Sequence, residues 1–132
     1  MTLEHIGLLL SIGVAGGIGA VLRHWLSNRP DAWMPWGTLA ANTIATVIAA
    51  SALVILELNA GLPLLVSGDD WPPTLIGYTL VVGLAGGMST FSTVAGQVAE
   101  LIRCKHWLRA VCYALASFAI PSTAALLLVS LL

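Results

Sequence analysis

The chain has 132 residues, 58% of them hydrophobic and 8% charged, with a formal net charge of −1. A soluble domain coats its surface with roughly 25% charged residues, which six acids and five bases cannot supply here. Lipid is therefore the expected solvent for most of the surface, and the lack of any basic run excludes nucleic acid as a partner.

Four apolar runs follow one another, each near the roughly 20 residues that a bilayer requires. They make one transmembrane domain over residues 1–132. The first run, about Ile6 to Leu26, closes on Arg23, His24 and Trp25. It reads as a retained span and not a signal peptide, because Met1 to His5 holds no Lys or Arg and the apolar stretch continues past Ala20. Arg23, near its end, either attracts anions or snorkels to the headgroups.

The second run, about Trp36 to Leu58, opens after Pro35 and closes on Glu57 and Asn59. Thr38, Asn42 and Thr46 stand at i, i+4 and i+8, one polar stripe on an apolar helix. Such a stripe serves interhelical hydrogen bonding or lines a water-filled path, and spacing alone leans towards the first. A loop with Gly61, Pro63, Gly68, Asp69, Asp70, Trp71, Pro72 and Pro73 follows.

The third run, about Thr74 to Ile102, is longer than a span needs and reads Gly83-Leu84-Ala85-Gly86-Gly87-Met88-Ser89-Thr90-Phe91-Ser92-Thr93 through its middle. Glycines and hydroxyl residues hold a helix poorly. Irregular backbone at mid-membrane is tolerated only where it is buried in protein or lines a cavity, so the pattern predicts a broken helix. The alternative is close helix packing through Gly83 and Gly87.

The fourth run, about Trp107 to Leu132, carries Tyr113 and Ser117 one turn apart, with Pro121 a further turn on. Proline there removes an amide and frees the carbonyl of Ser117. Trp25, Trp33, Trp36, Trp71 and Trp107 all fall at span ends, as an interfacial aromatic belt requires. Cys104 and Cys112, eight residues apart, would lie about 12 Å apart on one helix, too far for a disulfide, and read as small packing residues.

All five Lys and Arg residues (Arg23, Arg29, Arg103, Lys105, Arg109) flank the first and third connections. The opposite side carries Glu4, Glu57, Asp69 and Asp70. The positive-inside rule then places both termini outside the cytoplasm. No nucleophile–base pair, HExxH motif or phosphate loop supports an enzyme. No ionisable residue stands in mid-span, which disfavours a drug/proton antiporter of the small multidrug resistance type, since Glu4 lies too near the start.

Three stretches, Gly16-Gly17-Ile18-Gly19-Ala20-Val21-Leu22-Arg23, Gly37-Thr38-Leu39-Ala40-Ala41-Asn42 and the Gly83 to Thr93 run, carry a resemblance that covers nearly the whole chain. In this order and spacing the chain resembles the Fluc family of fluoride channels, also called CrcB proteins. The resemblance implies an all-α membrane protein, an antiparallel dimer of four-helix subunits with the third helix broken near the midplane. It implies a structural, untransported sodium ion held by backbone carbonyls of Gly86 and Ser89, oxygen ligands that suit a hard cation. It implies two narrow pores that use Asn42, Phe91, Tyr113 and Ser117, with Thr93 in the same set, and Arg23 in the vestibule. An amide N–H and hydroxyls can replace water around fluoride, and a phenyl edge is positive. Fluoride would leave the cytoplasm passively, conferring fluoride resistance at the cell membrane.

The match has gaps. The family's second pore phenylalanine is Val94 here, a further polar-track position is Pro121, and an acidic position is Gln97. An antiparallel homodimer also needs one sequence to insert both ways, whereas this charge bias fixes one orientation. The expectation is a subunit that pairs with a related chain of opposite bias. The alternatives are a homodimeric channel and a non-conducting subunit that completes a partner's pore.

Overall fold

The structure, a computed structural model, describes residues 3–28, 33–60, 77 and 79–131. Among these residues it is all-helical. Four segments are long and apolar enough to cross a membrane: Ile6–Ser27, Trp36–Ile55, Thr79–Arg103 and Trp107–Leu131. The chain is a multi-pass membrane protein. The second loop with Trp71, the start of the third run and Arg29 lie outside the described residues, as does the side chain of His5.

Helices α1 (Leu3–Ser27) and α2 (Trp36–Ala60) are apolar nearly all round, the pattern of a helix solvated by lipid rather than water. Two hydroxyls of α2 turn back on the helix: Thr43 donates to the Leu39 carbonyl at 2.8 Å and Thr46 to that of Asn42 at 2.9 Å. This satisfies a polar group without a partner helix. Trp25, Trp33, Trp36 and Trp107 are exposed at helix ends.

The third span is the irregular one. It begins as a π-helix, Thr79–Ala85, tightens into a single α turn, α3 (Gly86–Met88), and then stops. Ser89 (φ −77°, ψ 145°) and Thr90 (φ −157°, ψ 121°) are extended. Helix α4 (Phe91–Arg103) restarts with Thr90 as its N-cap, the Thr90 hydroxyl accepting from the Thr93 amide at 3.4 Å. The break falls at the hydroxyl pair. The glycines before it do the other job expected of them. A Cβ on Gly87 would collide with the backbone of Gly16, its carbonyl carbon at 2.9 Å, and one on Gly19 would collide with the Leu84 carbonyl and the Met88 nitrogen. The broken helix and the close glycine packing, set as alternatives by the sequence, occupy successive turns of one span.

Helix α5 (Trp107–Leu131) completes the bundle with Pro121 inside it. Helix α1 packs chiefly on the π-helical segment and α3, α2 on α5 and the π-helical segment, and α4 on α5. Two small buried clusters sit in these seams. One is Ala45, Ala85 and Met88; the other is Met34, Leu39, Val94 and Tyr113. Lys105, in the left-handed region at φ 60°, ends α4: its amide reaches the Ile102 carbonyl and that of His106 the Leu101 carbonyl, both at 2.9 Å. Cys104 and Cys112 form no disulfide and are both exposed, so neither packs inside this chain.

Candidate ion pathway

An amide at a helix break must find an acceptor, because nothing in lipid will supply one. In an unbroken helix the Thr90 N–H would return to the Gly86 carbonyl. Here it donates to Oδ1 of Asn42, at 3.0 Å across from α2. Asn42 thereby spends its oxygen on the break and keeps its NH2 group as the donor it can offer. Ser89, one residue earlier, is held by its own amide on the Ala85 carbonyl at 2.9 Å.

Beside this junction lies a cavity of about 250 Å³, lined by Asn42, Thr46, Ser89, Thr90, Phe91, Val94, Ser117, Phe118, Pro121 and Ser122. Polar groups come from α2, the break and α5, and two phenyl rings form part of the wall. The rings of Phe91 and Phe118 are 6.4 Å apart and tilted by 47°. Phe91 is 72% exposed on this chain. The Ser117 hydroxyl is turned to the Tyr113 carbonyl at 2.8 Å. The carbonyl of Ser117 lacks its usual helical amide because Pro121 has none.

A second cavity, of about 380 Å³, opens towards the α4–α5 connection, lined by Ser27, Trp33, Met34, Pro35, Gln97, Glu100, Leu101, Cys104, His106 and Arg109. The Arg109 guanidinium lies 5.4 Å from the Trp33 ring centroid, a cation–π contact. Between the cavities stands Tyr113, 1% exposed. Its hydroxyl donates to Gln97 Oε1 at 2.6 Å, Gln97 Nε2 donates to the Thr38 hydroxyl at 2.9 Å, and Thr38 meets the Ser27 hydroxyl at 3.2 Å. Along α5, Arg109, Tyr113, Ser117 and Pro121 recur every fourth residue and so share one face. That face runs from one cavity to the other.

The expected site residues distribute unevenly. Asn42, Phe91, Ser117 and Ser89 meet in the smaller cavity, and Tyr113 sits one turn beyond it. Thr93 bonds to Thr90 and lines neither cavity. Gly86 is exposed on the span just before the break. Arg23 is half-buried and lines neither of these two cavities, whereas Arg109 lines the larger one. The polar stripe on α2 divides between helix bonding and the cavity wall. Thr38 makes interhelical bonds, and Asn42 both bonds the break and faces the cavity. Phe118 and the bridging role of Gln97 went unread in the sequence. His24 and His106 join no metal-ligating cluster among the described residues.

Residues 10–129 match the family described as CrcB-like protein, Camphor Resistance (CrcB). The chain belongs to the CrcB family. It is similar to a protein of Hahella chejuensis named Fluoride-specific ion channel FluC, 31% identical over 122 residues, which cover 89% of this chain and 85% of that relative. A protein of the same name from Roseiflexus sp. is 32% identical over 114 residues, 83% of this chain and 84% of the relative. Another from Psychrobacter cryohalolentis is 36% identical over 95 residues, 70% of each. In this CrcB protein the match spans the glycine contacts of α1, Asn42, the break and the inward face of α5, all within residues 10–129.

Proposed function

We propose that this CrcB protein is a subunit of a fluoride-specific ion channel, not an enzyme, that lets fluoride leave the cytoplasm passively and lowers its concentration there. The observation that carries the reading is the cavity at the broken third helix, where Asn42, Ser89, Thr90 and Ser117 meet two phenyl rings. Fluoride is small and strongly hydrated. A site that takes it from water must offer compact positive partial charges and no fixed cation strong enough to trap it. An amide N–H, hydroxyls and phenyl edges are of that kind. The names of the relatives point the same way. Asn42, Phe91, Tyr113 and Ser117 form the path, Thr93 steadies the cap at its start through Thr90, and Arg23 favours anions in the vestibule.

A second subunit in antiparallel orientation completes the pores. The cavity is open at Phe91, and Gly86 and Ser89 are exposed beside it. With the Thr90 amide diverted to Asn42, the Gly86 carbonyl loses its usual donor. Carbonyls of Gly86 and Ser89 from two such breaks would make an oxygen set fit for a structural sodium ion, which neutralises the facing carbonyl dipoles and holds the breaks together. The one-sided Lys and Arg distribution supports an orientation with both termini outside the cytoplasm and favours a related subunit of opposite bias over a second copy.

Fluoride efflux from liposomes, with chloride as control, tests the reading. Selective flux from the purified chain alone establishes a homodimeric channel and overturns the fixed orientation. Flux only with a co-expressed partner of opposite bias establishes the paired channel. If the pair conducts equally well when Phe91 and Asn42 of this chain are both replaced by alanine, the chain is a structural subunit. No flux from either assembly refutes the proposal. In the conducting assembly Phe91→Ile is expected to cut fluoride flux roughly tenfold or more, the size of about one lost aromatic contact.

A further inference from the structure

We infer that Phe118 is a second pore-lining aromatic residue, whose ring joins that of Phe91 as the apolar wall along which fluoride passes. The inference rests on the channel reading and adds a residue to its pore wall. Helix α4 offers Phe91 at its first turn and then Val94, which is 5% exposed and packed with Met34, Leu39 and Tyr113. A ring at position 94 would have to force that cluster apart, so α4 supplies one phenyl group and no second.

The second comes from α5. Phe118 follows Ser117 directly, lines the same cavity and meets Phe91 at 6.4 Å. At a tilt of 47° the rings are not stacked face to face. Phe118 is 59% exposed on this chain, so the ring is not enclosed by its own chain. A ring that only faced lipid would not border Asn42, Ser89 and Ser117. Exposed Leu115 and Leu126 on the same helix do not line this cavity.

Aromatic character, rather than bulk, should matter. The hydrogen edge of a phenyl group is positive and its faces are negative. Replacing the ring hydrogens by fluorine reverses the sign while keeping the shape. In the conducting assembly, Phe118→Tyr is expected to keep fluoride flux within about twofold, and Phe118→Leu to lower it roughly tenfold. Pentafluorophenylalanine at position 118 should lower flux comparably with no change in elution volume in detergent. Normal flux in both the leucine and pentafluorophenylalanine proteins overturns the inference and leaves the channel reading intact. So does a pentafluorophenylalanine protein with full flux when Phe118→Leu fails to assemble, because Phe118 then acts through packing alone. Absence of flux in the unsubstituted assembly sinks the channel reading itself, and this inference with it.

Discussion

The two halves of the third span are built on opposite principles. From Thr79 to Met88 the chain is positioned chiefly by closeness: Gly83 and Gly87 let its backbone lie against α1, beside a Ser11–Thr79 hydroxyl contact at 3.0 Å and the small cluster of Ala45, Ala85 and Met88. Without a hydrophobic driving force between helices in lipid, such backbone approach is one of the few ways to hold them together. From Phe91 to Arg103 the helix is positioned by side chains, with Val94 in a cluster and Gln97 in a hydrogen-bonded relay. At Gly83 and Gly87 the first half can tolerate almost no added atom, while the second depends on particular functional groups. Rigidity and chemistry have been divided between two pieces of one span, and the cavity lies where they meet.

Substitutions at four positions would break or sharpen that division. Gly87→Leu should have the largest effect, since its side chain would enter the backbone of Gly16. A loss of about 3 kcal/mol or more should appear in detergent size-exclusion as loss of the folded peak, and a normal peak would mean that the halves are not so different. Asn42→Ala strips the Thr90 amide of its acceptor, a cost of about 1–3 kcal/mol. Asn42→Asp keeps the acceptor but puts a negative charge beside the path, so thermal stability should survive while fluoride flux falls. Equal loss of stability in both variants would show that an acceptor oxygen alone does not hold the junction, and unchanged flux in the aspartate variant would remove the Asn42 NH2 group from the pathway. Tyr113→Phe should keep the packing but leave Gln97 Oε1 without that donor. Flux is expected to fall severalfold with a stability change of about 1 kcal/mol, and unchanged flux would remove the tyrosine hydroxyl from the pathway. Gly96→Ala, in the second half, should have the smallest effect. Its Cβ meets nothing within 4 Å, so a gain of up to about 1 kcal/mol in helix stability is expected. A large loss there would reveal a contact made from outside this chain.

Much of this was legible in the sequence because lipid simplifies the reading. A span must be apolar for its full length, so four apolar helices follow from hydropathy, and Trp25, Trp36 and Trp107 stand at described helix ends. The glycine-rich centre of the third span was harder, because glycine signals both weak helix and close packing. Which meaning applies at Gly87 depends on Gly16 lying across from it, and that is a tertiary fact. Asn42, Phe91 and Ser117 stood out as polar or aromatic residues in a family pattern and do meet. Phe118 had no such signal. One apolar residue among many on α5, it becomes distinctive only when the crossing of α4 and α5 brings its ring to Phe91. Gln97 read as a missing acid, and its bridging of Tyr113 to Thr38 emerges only from the fold.

The hydroxyls of Ser117 and Thr46 have a further consequence. Both have their protons turned onto carbonyls of their own helices, at 2.8 and 2.9 Å. At these two positions an anion entering the cavity therefore meets rotors at rest, and the Asn42 NH2 group is the donor already free of a backbone oxygen. To be greeted, it must swing each O–H away from a backbone oxygen, exchanging a neutral hydrogen bond for a charge-assisted one and receiving only the difference. That shallows the well in which the ion sits, while the swing itself belongs to the picosecond–nanosecond range of side-chain motion. A cavity lined this way is a poor trap and a fast waiting room, and an ion that binds weakly is one that can move on.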